Sequence, residues 1–167
     1  MPRSLRINIR LLAFALVAAV TAGRAPAATI NVSVNANVVK PLTLTTKQDL
    51  DFGQILLSGA GGTVSISTAG VRTCPAGLTC SGTARQAIMN TSGTNSMVVR
   101  ISTVPSDLVN AANGAVIRFT PTAPASVTLT NSGAPGKDFG VGGSIAVTPA
   151  TSDGVYTGNI EVTVDYQ

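Results

Sequence analysis

Between Thr29 and Val38 the chain reads TINVSVNANV, and its hydrophobicity alternates without a break. Ile30, Val32, Val34, Ala36 and Val38 fall on one side, and Thr29, Asn31, Ser33, Asn35 and Asn37 on the other. Successive side chains of a strand point to opposite faces, so this run predicts a β-strand with one buried face. At about 3.3 Å per residue it would reach roughly 33 Å. A strand of this kind near a free end has two destinations, its own domain or a neighbouring one.

The preceding residues put it near that end. Arg3, Arg6 and Arg10 form a basic region, Leu11 to Ala22 is an apolar run, and Ala25-Pro26-Ala27 is a small-x-small site. The run is short for a bilayer span, so a cleaved secretory signal peptide is expected over residues 1–27. Its removal takes four of the 11 Lys and Arg and none of the seven acids, which leaves a formally neutral chain. The sequence pI of 9.6 therefore belongs to the leader. Nothing electrostatic argues for nucleic acid or an anionic membrane as partner, and no second apolar run of spanning length follows.

Roughly 140 residues then remain, enough for one domain with a core. Val, Ile, Thr, Ser, Gly and Asn dominate. That composition suits an all-β fold, because branched side chains fit a pleated surface and Gly and Asn supply turns. Cys74 and Cys80 enclose CPAGLTC. In an exported chain they are expected to form a disulfide worth roughly 2–2.5 kcal/mol on chain-entropy grounds. With no histidine and no second cysteine pair, a metal centre has too few ligands.

Along the chain, Lys40-Pro41 interrupts the first strand, since proline cannot donate to a ladder, and Leu42 and Leu44 resume the alternation. Strands are expected at Leu50–Ile55, Thr63–Thr68, Ser96–Thr103, Ala115–Thr120, Ala125–Thr130, Phe139–Val141 and Ser144–Thr148. Ala84–Asn90 fits helix or strand, and Pro105–Ala112 a helical turn or a loop. At the far end GVYTGNIEVTVDYQ alternates cleanly, with Tyr156, Gly158, Ile160, Val162, Val164 and Tyr166 on one face. Eight to ten strands with turn signals between them point to a β-sandwich.

Catalytic readings are poorly served. Acid–base relays built on imidazole have no histidine to use. Asp49 and Asp51 are the only close carboxylates, and on a strand-like segment they serve turn chemistry more naturally than hydrolysis. Neither they nor Asp138 lie in a calcium-loop pattern, and Gly59-Ala60-Gly61-Gly62 has no following helix or Lys to make a phosphate cradle. The expectation is a protein that is not an enzyme and needs no cofactor or metal.

Three motifs carry a resemblance: Val38-Val39-Lys40-Pro41-Leu42-Thr43-Leu44, Asp49-Leu50-Asp51-Phe52-Gly53, and Gly154-Val155-Tyr156-Thr157-Gly158 running on to Tyr166. In these the chain resembles the DUF4402 family of pilin-like β-sandwiches, and in its order of elements the fimbrial subunits of chaperone–usher pili. The resemblance implies an immunoglobulin-like (pilin-like) sandwich over residues 42–167, completed by a donor-type strand over 28–41. By that analogy Ile30, Val32, Val34, Ala36 and Val38 are the donor knobs, and Tyr156, Gly158, Ile160, Val162, Val164 and Tyr166 form one wall of an acceptor groove. Gln167 would anchor a periplasmic chaperone, an outer-membrane usher would export the subunit, and copies would join head to tail on the cell surface. Burying the four large knobs at about 1.5–3 kcal/mol each represents roughly 6–12 kcal/mol before ordering costs, comparable to a domain's whole stability. The other reading is a self-complemented monomer that binds something at the surface or in the periplasm.

Overall fold

The computed structural model describes residues 27–167, so the leader expected over 1–27 lies outside the described residues apart from Ala27. The chain divides into two units between Ala36 and Asn37. In the first, residues 27–36 carry no strand, and Ile30, Val32 and Val34 are 85%, 77% and 89% exposed. The alternation is there but the ladder is not. A lone strand has nowhere to satisfy its backbone N–H and C=O groups except water.

The second unit is all-β, with no helix among the described residues. Its strands are β1 (Thr43–Gln48), β2 (Gln54–Leu57), β3 (Gly62–Ile66), β4 (Arg72–Thr73), β5 (Leu78–Ser81), β6 (Ala87–Ser92) and β7 (Val98–Val104). Then come β8 (Ser106–Asn110), β9 (Val116–Thr122), β10 (Ser126–Thr128), β11 (Lys137–Val147), β12 (Tyr156–Thr157) and β13 (Glu161–Tyr166). One large curled sheet runs β1-β6-β11-β9-β8-β12, with β3 joining β11 and β4 joining β3. A second sheet is ordered β10-β7-β13, and β2 and β5 pair as a separate two-stranded ribbon. Every ladder is antiparallel.

The inner faces form two packed groups. Val64, Leu78, Ile117, Phe119 and Ile145 make one, and Ala87, Met89, Ile101, Phe139 and Val141 the other. Leu50 and Ile160 pack against both and so join them. The alternation of TVSI puts Val64 and Ile66 inside, and that of VVRI puts Val99 and Ile101 inside. These follow directly from the period of two.

Five local expectations change. Ala84–Asn90 resolves as β6 from Ala87, and Pro105–Ala112 is neither helical turn nor loop but holds strand β8. The glycine-rich 136–148 stretch is one eleven-residue strand, not two. Its glycines are needed there: a Cβ at Gly143 would collide with the Phe119 ring. The segment 50–55 is not continuous, since Asp51 makes an isolated bridge to Arg85 and β2 begins only at Gln54. The final alternation also divides: β12 pairs β8 in the large sheet, whereas β13 pairs β7 in the second.

Candidate functional site

The crossing from the large sheet to the ribbon is built by Asp49-Leu50-Asp51-Phe52-Gly53. Asp51 and Arg85 exchange backbone hydrogen bonds of 2.9 Å in both directions. The Asp51 carboxylate accepts the Gly53 N–H at 2.9 Å, which folds the backbone back at φ +72°. Only glycine fits, because a Cβ at Gly53 would lie 2.6 Å from Arg72 Nη1 and 2.7 Å from the Ser81 carbonyl. Arg72 Nη1 donates to the Phe52 carbonyl at 2.8 Å and the Ser81 carbonyl at 2.9 Å, tying the turn to β5. The Phe52 ring then meets Phe119 edge-on, with centroids 6.1 Å apart.

Beside this turn a cavity of about 1500 Å³ opens. One wall is residues 49–57, the facing wall is residues 149–160, and Leu108, Ile117, Phe119, Ile145 and Val147 form the floor. It is larger than the roughly 300–1,000 Å³ usual for a small-molecule site, and its floor is the domain core itself. Chemically it offers a trough of mixed apolar and polar lining between separated chain segments. It continues towards β13, which ends the β10-β7-β13 sheet and carries no further strand on its outer edge among the described residues.

The rim is held by side chains that periodicity does not reveal. Asn110 is 1% exposed; its amide donates to the Asp153 carbonyl at 2.8 Å and accepts the Ala112 N–H at 3.0 Å. Tyr156 donates its hydroxyl to the Ser152 carbonyl at 2.8 Å. On the opposite wall, β2 pairs only with β5, and the Cys74–Cys80 disulfide anticipated from the sequence closes the loop that carries β5. Leu78 of that loop is buried in the core.

Of the anticipated wall residues, Tyr156, Gly158 and Ile160 line the cavity, while Val162 and Val164 are half-buried against the second core group. Tyr166 has a different task. Its hydroxyl accepts the Thr94 N–H at 2.8 Å and donates to the Lys40 carbonyl at 2.7 Å, while the Lys40 N–H donates to Thr94 Oγ1 at 2.7 Å. Lys40 is thus fixed through both backbone groups beside the C-terminal end of β13. Gln167 is exposed, with its N–H donating to the Val98 carbonyl at 3.0 Å. Val38, the last anticipated knob, is 88% exposed, and Ala36 is exposed as well.

The carboxylates do not converge. Asp49 and Asp51 lie on the cavity wall, whereas Asp138 stands on the outer face of β11 with Lys47 at 2.7 Å and the Asn90 amide against it. The Lys47 ammonium, and then the Asn90 amide, hold the Asp138 carboxyl below the usual carboxylate range. Among the described residues no three His, Cys, Asp or Glu side chains cluster as a metal set, and no helix is long and apolar enough to cross a membrane.

No curated protein and no solved structure matches the chain. A family model does, over residues 42–166, beginning just after Pro41 and covering the Asp49–Gly53 turn, the disulfide loop and both parts of the last alternation. The chain belongs to the DUF4402 family, described as a domain of unknown function.

Proposed function

We propose that this protein is a non-catalytic, pilin-like subunit that joins head to tail by strand exchange, the Ile30–Val38 segment of one copy completing the sandwich of the next. The observation that carries the reading is the cavity between residues 49–57 and 149–160, lined by the half-buried Leu50, Phe52, Ile55, Leu57, Leu108 and Ile160 next to an edge of β13 that carries no further strand among the described residues. A strand laid there would give that edge a hydrogen-bonding partner and cover those half-buried side chains in one step. The chain itself carries a segment of the right pattern, with Ile30, Val32, Val34 and Val38 exposed and unladdered. A head-to-tail exchange does not close on itself and therefore makes fibres.

The direction of entry favours a neighbour's strand over the chain's own. β13 runs from the cavity at Ile160 towards Tyr166, and Lys40 is held beside Tyr166. The same chain's Ile30–Val38 could line β13 only parallel to it. A strand from another copy is free to enter antiparallel, the sense of every ladder in this fold and the slightly more stable one per residue. On this reading the sandwich is immunoglobulin-like, residues 1–27 direct export, and a periplasmic chaperone and an outer-membrane usher handle the subunit on its way to the cell surface. Gln167 would then be the chaperone's anchor point.

The test compares the exported full chain with a chain beginning at Leu42, in the presence and absence of a synthetic peptide covering residues 29–38. Heat-sensitive ladders from the full chain, and an unstable truncated chain rescued by the peptide, are the expected results. A full chain that stays monomeric at every concentration, with a truncated form of equal stability, refutes the assignment and favours a self-sufficient monomer.

A further inference from the structure

Opposite charges mostly pair off across the second unit. Lys47 meets Asp138, Arg85 meets Asp51, Arg118 meets Asp107, and Arg100 stands opposite Asp165 across the β7–β13 ladder. Arg72 donates to neutral backbone carbonyls at the cavity turn and keeps its charge, one cation against the three carboxylates at that end. The charges left over are segregated. Lys40 and Lys137 lie at the end where β1 and β11 begin and β13 finishes. Asp49 and Asp153 lie on the cavity walls, and Glu161 directly follows Ile160 there.

Spacing gives this polarity a consequence. Only Val39 separates the last alternating residue, Val38, from Lys40, whose N–H and C=O are both bound. If Val38 emerges from a neighbour's trough, two peptide units, about 7 Å, remain before the chain reaches Lys40, which is pinned to the donor's own Thr94 and Tyr166. The two bodies must therefore touch. Antiparallel entry brings the lysine end of the donor to the carboxylate-bearing cavity end of the acceptor; parallel entry would bring lysines to lysines.

We propose that the occupant of the cavity-end surface is the lysine end of a second copy, with Lys40 and Lys137 facing Asp153, Glu161 and Asp49. This junction rests on the strand-exchange reading and specifies its direction. It makes assembly sensitive to charge at two places remote from each other on one molecule.

Two variants of the full exported chain test it: Lys40→Glu with Lys137→Glu, and Asp153→Lys with Glu161→Lys. Lys40→Glu leaves the backbone bonds to Thr94 and Tyr166 in place. Each variant alone should associate about tenfold more slowly than the unaltered protein at low salt, with the difference shrinking at high salt. An equimolar mixture should recover the rate by alternating the two variants along the fibre. A fluorescent peptide of residues 28–39, which lacks both lysines, should bind the Lys40→Glu, Lys137→Glu variant, whose cavity walls are unaltered, within twofold of the unaltered protein. Variants that assemble alone at the normal rate, or a mixture with no recovery, overturn the junction while peptide binding keeps strand exchange intact. Failure of the peptide to bind any form overturns strand exchange and the junction with it.

Discussion

Replacing Tyr166 by Phe removes one oxygen and leaves the ring in place. That oxygen closes a ring of hydrogen bonds with Thr94 and Lys40, residues 72 and 126 positions away in the chain. The Lys40 carbonyl lies at an exposed position and can turn to water, so its loss should cost about 0.5 kcal/mol. The Thr94 N–H is part-buried beneath the tyrosine, and stranding it should cost about 1–1.5 kcal/mol. The sum is about 1.5–2 kcal/mol, or roughly 5–8 °C in Tm for a domain of this size. Urea unfolding of the two forms measures it, with the midpoint falling and the slope unchanged. Thr94→Val, which removes the acceptor for the Lys40 N–H, completes a double-mutant cycle. Residues acting through one ring should show a coupling of at least about 0.5 kcal/mol. A Tyr166→Phe loss below about 0.5 kcal/mol with strictly additive effects would mean that water replaces the hydroxyl and that Lys40 is not a fixed point.

Other perturbations are readily checked. Changing Cys74 and Cys80 together to Ala should lower stability by about 2.4 kcal/mol on the loop-entropy relation, measured by calorimetry, and weaken peptide binding further because β5 supports the β2 wall. Gly53→Ala should destabilise by more than 1 kcal/mol in denaturant titration, since it sets a side chain at positive φ against Arg72 and the Ser81 carbonyl. Phe119→Ala, removing a ring 1% exposed, should cost about 3–5 kcal/mol in the same assay. For Asp138 the folded carboxyl titrates below its ordinary value of 3.8, so between the two the unfolded chain holds the proton more. Its contribution is present above the unfolded value and is lost as pH falls through the lowered one. Asp138→Asn should therefore flatten the acid limb of a stability–pH curve while leaving the neutral-to-alkaline shape alone.

Much of this architecture was legible in local pattern. Val64 and Ile66 in TVSI, or Val99 and Ile101 in VVRI, show their buried faces by alternation alone, and the two cysteines in CPAGLTC are close enough for the loop they close. Where the pattern failed, polarity or glycine disguised a strand. β8 hides because Asn110 occupies an inward position, and its amide N–H finds its acceptor at the Asp153 carbonyl, 43 residues later. β11 looks interrupted because Gly143 leaves room for a ring from β9, a neighbour that the local sequence cannot announce.

The division therefore follows the range of the forces. Alternation, turn residues and the short cysteine loop act within a few positions, and they determined that the second unit is all-β and which faces of its strands turn inward. Tertiary structure alone decided how the last alternating run splits between two sheets. It also set Tyr166 as a hydrogen-bonding anchor for Lys40, and left a trough where residues 49–57 and 149–160 stand apart. Strand pairing and packing join residues a hundred positions distant, beyond the reach of any local pattern.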